Sequence, residues 1–94
     1  MHFLKEHLAG HHYYWNISSA GTAFTGMPGR RLFDPFNGQQ VLYIINYFGQ
    51  SIGILTVEAG RTLEEMMLKQ LPVEVKSEMA VFNWLRVQYL YHSH

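Results

Sequence analysis

The sequence predicts an α+β domain in which a short N-terminal helix and a β-hairpin precede three helices. Two observations carry this prediction. An aromatic and β-branched run near the N-terminus, followed by Ser, Gly and Thr, is typical of a hairpin. Further along, apolar residues recur at helical spacing between glycine and proline breaks. With 94 residues, of which 48% are hydrophobic, the chain has the size and composition of one packed domain, residues 1–94.

The N-terminal elements are predicted from apolar spacing and turn residues. Residues 2–9 have the spacing of a short helix, which Gly10 would end. Residues 12–17 are typical of a first hairpin strand, residues 18–21 of its turn, and residues 22–26 of the returning strand.

Residues 41–48 lie inside a long uncharged span and are predicted to be a helix. Asn37 is suited to cap this helix, with Gln40 at the third helical position. Apolar side chains then share one face at positions i, i+3, i+4 and i+7, namely Val41, Ile44, Ile45 and Phe48. Gly49 lies where a left-handed C-cap residue is expected.

The same residues permit a strand, and the sequence leaves this alternative open. Asn37-Gly38 is a strong signal for a two-residue hairpin turn, and Val, Ile, Tyr and Phe are good strand formers. Residues 41–48 would then be a strand in a three- or four-stranded antiparallel sheet packed by two helices. Pro35 in the partner strand and the lack of polar–apolar alternation favour the helix.

Residues 57–71 are predicted to form an amphipathic helix, capped by Thr56 and stopped by Pro72. One face is apolar and contains Ala59, Leu63, Met66, Met67 and Leu71. Charged residues occupy the opposite face, where Glu65 and Lys69 have the spacing of an i, i+4 ion pair. The adjacent carboxylates Glu64 and Glu65 are both interpreted as solvated.

The last predicted helix, residues 73–91, is apolar on two sides. One stripe contains Val75, Met79, Phe82, Leu85 and Tyr89. A second stripe lies nearly opposite and contains Ala80, Trp84, Val87 and Tyr91. A helix of this kind is either buried between layers or shared with a partner, and a chain of this length has few layers to offer.

From this surplus of apolar surface the sequence predicts a non-catalytic protein–protein interaction domain that self-associates. The expected partner is a second copy in a homodimer, or another protein. Only five charged residues precede Val57, against nine from Glu58 onward, which also indicates extensive burial of the N-terminal portion. Because aromatic residues are enriched at interfaces, the predicted contact residues are Tyr43, Tyr47, Trp84, Val87 and Tyr91.

An alternative function is a nucleic-acid-associated accessory protein. The hairpin aromatics Tyr13 and Trp15, with Arg30 and Arg31 close behind in sequence, could stack on and neutralise a single strand. Seven basic and seven acidic residues give no net charge, which disfavours a nucleic-acid footprint and makes this the second choice.

The remaining chemistry-bearing patterns are weak. Residues 49–53 match G-x-S-x-G, but no aspartate follows Ser51 and the later histidines are His92 and His94 at the end of the chain. We interpret the pattern as a glycine-flanked turn, and the histidines near both ends as exposed. The sequence therefore predicts no enzyme, no catalytic residue, no metal site, no cofactor and no small-molecule substrate.

The expected location is cytoplasmic. The chain has no cysteine, so disulfides and thiol chemistry are excluded. Residues 1–8 are too short and too charged for a signal peptide. Polar residues interrupt the uncharged span before it reaches the roughly 20 apolar residues of a membrane helix, so no membrane association is expected.

Overall fold

The computed structural model describes residues 3–15, 27–53 and 56–92, with the side chains of residues 90–92 outside the description. A 3-10 helix, Lys5–His7, is followed by three α-helices. These are α1, Gly38–Ile52; α2, Val57–Lys69; and α3, Glu78–His92. All three helices contact one another, and the 3-10 helix contacts α2.

The predicted α+β class is wrong for the described part of the chain, which is helical. Residues 12–15 of the first predicted strand form only an isolated bridge, between Tyr14 and Asn37, and a second isolated bridge joins Leu32 to Ser77. These residues pack on the helices instead: the Tyr13 hydroxyl donates to Glu64 of α2, and Trp15 packs against Gly38 of α1. The predicted turn and returning strand, residues 18–26, lie outside the described residues.

The predicted N-terminal helix is reduced to the three residues Lys5–His7. The backbone of Phe3 is bound elsewhere: its N–H donates to Asn46 Oδ1 (2.7 Å) and its carbonyl accepts from Asn46 Nδ2 (2.8 Å). The Leu4 N–H donates to His7 Nδ1 (2.9 Å). Because the Phe3 carbonyl accepts from Asn46 and the Ala9 N–H donates to Glu64 Oε1 (2.8 Å), neither group forms the i→i−4 bond that an α-helix over residues 2–9 requires.

The central residues 41–48 are helical, so the strand alternative is wrong. Asn37 Oδ1 accepts from the Gln40 backbone N–H (3.3 Å), as an N-cap does. The helix continues past Gly49, which is buried within it, and ends at Gly53. Gly53 has the left-handed conformation (φ 86°) that glycine adopts most readily, so the C-cap was placed four residues too early.

The other two helices are shorter than predicted. α2 begins after its predicted cap, since Thr56 Oγ1 accepts from the Ala59 N–H (3.0 Å), and it ends at Lys69. α3 begins at Glu78 rather than at residue 73, and Ser77 Oγ accepts from the Ala80 N–H (3.1 Å). Residues 73–77 are therefore not helical. We use the name α2–α3 linker for residues 72–77, which include Pro72.

The core lies where the three helices meet. Its buried apolar residues are Phe3, Leu8, Phe33, Val41, Ile44, Ile45, Phe48, Leu63, Met66, Met67, Val81 and Leu85. The stripe predicted for α1 is buried throughout. On α3 the two predicted stripes are not separate: Trp84 packs against the core from the stripe assigned to a partner, whereas Met79 of the inward stripe is 47% exposed.

No helix in the described ranges has both the length and the apolar character needed to cross a bilayer.

Candidate functional site

A buried carboxylate on α2, Glu64, holds the N-terminal segment. Only 4% of Glu64 is exposed. Its Oε1 accepts from the Ala9 N–H (2.8 Å), and its Oε2 accepts from the Gly10 N–H (3.0 Å) and the Tyr13 hydroxyl (2.5 Å). Burial, the hydrogen bond to Glu64 and its negative charge raise the pKa of Tyr13 above its ordinary value, so the hydroxyl remains a donor. The interpretation of Glu64 as solvated is wrong.

A second buried carboxylate, Glu78, starts α3, where the helix dipole favours a negative charge. Glu78 is fully buried. Its Oε1 accepts from Arg31 Nε (3.1 Å) and the Gly29 N–H (3.2 Å), and its Oε2 accepts from Gln40 Nε2 (2.8 Å). Gln40 also donates to the Leu32 carbonyl (3.0 Å).

These two carboxylate junctions use their acceptor atoms on donors of the same chain. Hydrogen bonds of this kind stabilise a buried carboxylate. Both oxygens of Glu64 and both oxygens of Glu78 accept hydrogen bonds from the protein itself. Their arrangement can hold loops to helices: Glu64 fixes residues 9–13 on α2, and Glu78 fixes residues 29–31 between α1 and α3. We assign both a structural role.

The weak catalytic and metal patterns do not assemble into a site. Ser51 lies exposed in the last turn of α1, and its Oγ donates to the Phe48 carbonyl (2.8 Å), so residues 49–53 are a helix end rather than the turn predicted. In the described ranges, no group of three or more His, Asp or Glu side chains is placed to hold a metal ion. His12 stacks on Tyr13 with ring centroids 4.0 Å apart.

Several of the predicted protein-contact residues pack against other residues of the chain. Tyr43 and Tyr47 lie side by side on α1 with ring centroids 6.3 Å apart, and Tyr47 packs edge-on against Phe82 of α3 (5.4 Å). Burial raises the pKa of Tyr43. Trp84 is half-buried, Val87 is 49% exposed, and the side chain of Tyr91 lies outside the description. Among the described side chains of this set, Val87 is exposed by the largest fraction.

Three of the four predicted nucleic-acid residues make contacts within the chain. The Tyr13 hydroxyl is bound to Glu64, and the Arg31 guanidinium is bound to Glu78. Trp15 packs against Gly38 and carries the Lys5 ammonium 4.5 Å from its ring centre, a cation–π contact. Arg30 is exposed. The structure brings the rings of Tyr13 and Trp15 together, edge to face with centroids 6.1 Å apart, whereas Arg31 lies on Glu78.

An apolar groove lies beside the α2–α3 linker, and we call it the linker groove. It encloses about 400 Å³ and is lined by Leu32, Phe33, Pro35, Met67, Leu68, Leu71 and four of the linker residues 72–76. Three large apolar side chains at the groove are exposed to solvent: Val73 by 87%, Leu32 by 75% and Leu68 by 43%. Lys76 is the one charged residue among the described residues that line it.

Sequence reasoning missed this groove because it placed residues 73–77 inside a helix. A helix there would have put Val73 and Val75 on a helical surface instead of beside Leu32. Ser77 three residues before Ala80, with Glu78 and Pro72 nearby, is a helix-start signal that could have located the linker.

A second groove, of about 600 Å³, lies on the N-terminal side and includes Lys5, His11 and Trp15 in its lining. Its polar groups point to no single ligand: Lys5 is already placed over Trp15, and the Tyr13 hydroxyl is bound to Glu64.

Comparisons with known proteins add no relative. No family model matches the chain, and no curated protein or solved structure is significantly similar to it.

Proposed function

We propose that this chain is a non-catalytic protein–protein interaction domain that self-associates, with the linker groove as its contact surface. The observation that carries the proposal is the exposure of Val73, Leu32 and Leu68 around one apolar groove. Neighbouring exposed apolar side chains mark interaction surfaces more often than scattered ones do. Burying one such side chain stabilises a contact by roughly 1.5–3 kcal/mol.

A protein suits this groove better than a small molecule. Small-molecule sites usually combine an apolar pocket with a few converging polar groups that orient the ligand. The described lining of the linker groove is apolar apart from Lys76, which is exposed to solvent. An apolar centre with charge at the rim is the usual anatomy of a protein interface.

The contact residues predicted from the sequence, which include Val87, are a second candidate surface for self-association. Val87 is its exposed member among the described side chains, while Tyr43, Tyr47 and Trp84 are committed in part to packing against the rest of the chain. We place the linker groove first because its apolar side chains are the more exposed.

The proposal includes a cytoplasmic location and no cofactor. A chain without cysteine is suited to a reducing compartment as well as to any other. For nucleic-acid binding we find no supporting contact, because Tyr13, Trp15 and Arg31 are held within the chain.

Sedimentation equilibrium of the full chain at micromolar concentrations tests the proposal. We expect the mass to rise with concentration from the 11.0 kDa of one chain toward twice that value. Apolar contacts depend little on ionic strength, so moderate salt should change this result only slightly. A mass that stays at 11.0 kDa at every concentration would contradict self-association.

A further inference from the structure

We propose that two copies meet about a two-fold axis at the linker groove, with Val73 of each copy inserted into the groove of the other. This inference rests on the proposed self-association and specifies its geometry. In a two-fold contact both copies use the same patch, so that patch must carry both the inserted side chain and the groove that receives it. The α2–α3 linker carries both.

The apolar part of the contact is self-complementary. Val73 belongs to the lining of the groove yet is 87% exposed, so it projects from the rim. Leu32, 75% exposed, and Phe33 also line the groove and pair with the linker at Ser77 and Lys76. A Val73 side chain from a second copy would therefore meet apolar atoms in the groove.

The charges on the linker are also self-complementary, and they argue for a second copy rather than an unrelated protein. Glu74 and Lys76 flank Val75, carry opposite charges and are exposed. Neither forms an ion pair within the described part of the chain. A two-fold axis that sets two linkers antiparallel places Glu74 of one copy opposite Lys76 of the other, and the reverse. Two ion pairs would then flank the apolar contact.

The linker is ordered before binding. The Val75 N–H donates to the Pro72 carbonyl (3.0 Å), and the Phe33 N–H donates to the Lys76 carbonyl (2.7 Å). A segment held in this way loses less conformational freedom when it docks. Because the patch consists of one short linker and the residues beside it, we expect it to bury less than the roughly 1,200 Å² of total area typical of stable complexes. We therefore expect a reversible dimer in the micromolar range.

Charge exchange at Glu74 and Lys76 tests the pairing directly. Glu74→Lys alone would set two lysines of one copy against two of the other, and Lys76→Glu would do the same with glutamates. Each variant alone should dissociate the dimer roughly tenfold more readily. An equimolar mixture of the two should restore association, because in the mixed dimer both pairs have opposite charges.

Val73→Glu provides an independent test, and Val87→Glu tests the second candidate surface, on α3, in the same experiment. Val87 is an exposed valine on α3 outside the groove lining. We expect Val73→Glu to abolish the dimer and Val87→Glu to leave it intact, as measured by sedimentation equilibrium. Circular dichroism at the same concentrations checks that each variant keeps its helices.

The possible outcomes distinguish a failure of the two-fold linker contact from a failure of self-association itself. A wild-type chain that remains monomeric would overturn both. A wild-type dimer that survives Val73→Glu but not Val87→Glu would overturn the linker geometry and keep self-association through α3. A dimer lost in Val73→Glu but not restored by mixing the two charge variants would overturn the two-fold pairing.

Discussion

The carboxylate junctions and the linker groove differ in whether their side chains are bonded within the chain or exposed to solvent. At Glu64 and Glu78, buried oxygens accept hydrogen bonds from segments distant in sequence, and the contacts are complete within one chain. At the linker groove, Val73 and Leu32 are large apolar side chains left in solvent. The comparison teaches that the buried carboxylates of this protein hold its loops, while the linker groove keeps large apolar side chains available for contact.

The two regions should therefore respond differently to substitution. Removing one partner at a junction leaves buried donors without acceptors, which costs folding stability. Changing an exposed side chain at the groove removes few contacts within the chain and should act on association instead. The following predictions sharpen this contrast, from the largest expected effect to the smallest.

Glu78→Ala should have the largest effect on folding. The substitution leaves the donors of Gly29, Arg31 and Gln40 without their shared acceptor, so we expect a loss of about 3–5 kcal/mol in the free energy of unfolding. Urea denaturation measures this loss, with the exposed Glu74→Ala as the control that should change stability by no more than about 0.5 kcal/mol. A loss at Glu78 as small as the control's would refute its role as a junction.

Gly60→Ala should destabilise the chain less, through packing. A methyl group at Gly60 on α2 would collide with the ring of Phe3, which is fully buried. We expect a net loss of about 1–3 kcal/mol despite the better helix propensity of alanine. Gly29→Ala is the matched control: its added methyl meets nothing within 4 Å, and it should be neutral in the same thermal or urea unfolding experiment. Equal effects at both glycines would contradict close packing at Phe3.

Tyr13→Phe should reduce the sensitivity of the protein to alkaline pH. The raised pKa of Tyr13 means that the folded chain keeps a proton that the unfolded chain releases above the ordinary value of 10.0. The stabilisation is therefore fully present below that pH and is lost as the pH rises above it. The slope is at most about 1.4 kcal/mol per pH unit and is reduced by partial exposure of the ring.

Urea unfolding at several values between about pH 9 and about pH 11 measures this slope in wild type and Tyr13→Phe. Some slope should remain in the variant, because Tyr14 and Tyr43 also have raised pKa values. Identical slopes in the two proteins would show that the Tyr13–Glu64 contact does not control alkaline stability.

Val73→Glu should have the smallest effect on folding of the monomer. The side chain is 87% exposed, so we expect a change of no more than about 0.5 kcal/mol when unfolding is measured at concentrations where the chain is monomeric. A loss comparable to that of Glu78→Ala would mean that Val73 supports the fold itself, and the contrast between the two regions would fail.

Local signals in the sequence predicted the N-caps of α1 and α2 and the buried face of α1 correctly. Asn37 and Thr56 were identified as helix caps because a cap and the N–H it binds lie within one turn of each other. The buried stripe of α1 was identified because its helical period is unbroken. The wrong strand prediction over residues 12–15 arose from the same reliance on local pattern: Tyr13 and Trp15 are good strand formers, yet their positions are set by α2 and α1.

The junctions could not be predicted because their partners are far apart along the chain. Ala9 and Glu64 are 55 residues apart. Helical spacing places Glu64 on the side of Gly60 and Met67, and Glu65 between Arg61 and Lys69, but it does not identify the donors that a buried Glu64 would bind. The linker groove was missed for a related reason. It forms between residues 32–35 and the α2–α3 linker, and the linker itself was assigned to a helix.

The most direct test of the account is the mass of the wild-type chain and of Val73→Glu, measured side by side by sedimentation equilibrium across micromolar concentrations. The account predicts that the wild type approaches twice 11.0 kDa while Val73→Glu stays folded at 11.0 kDa. Equal masses for the two proteins at every concentration would contradict it.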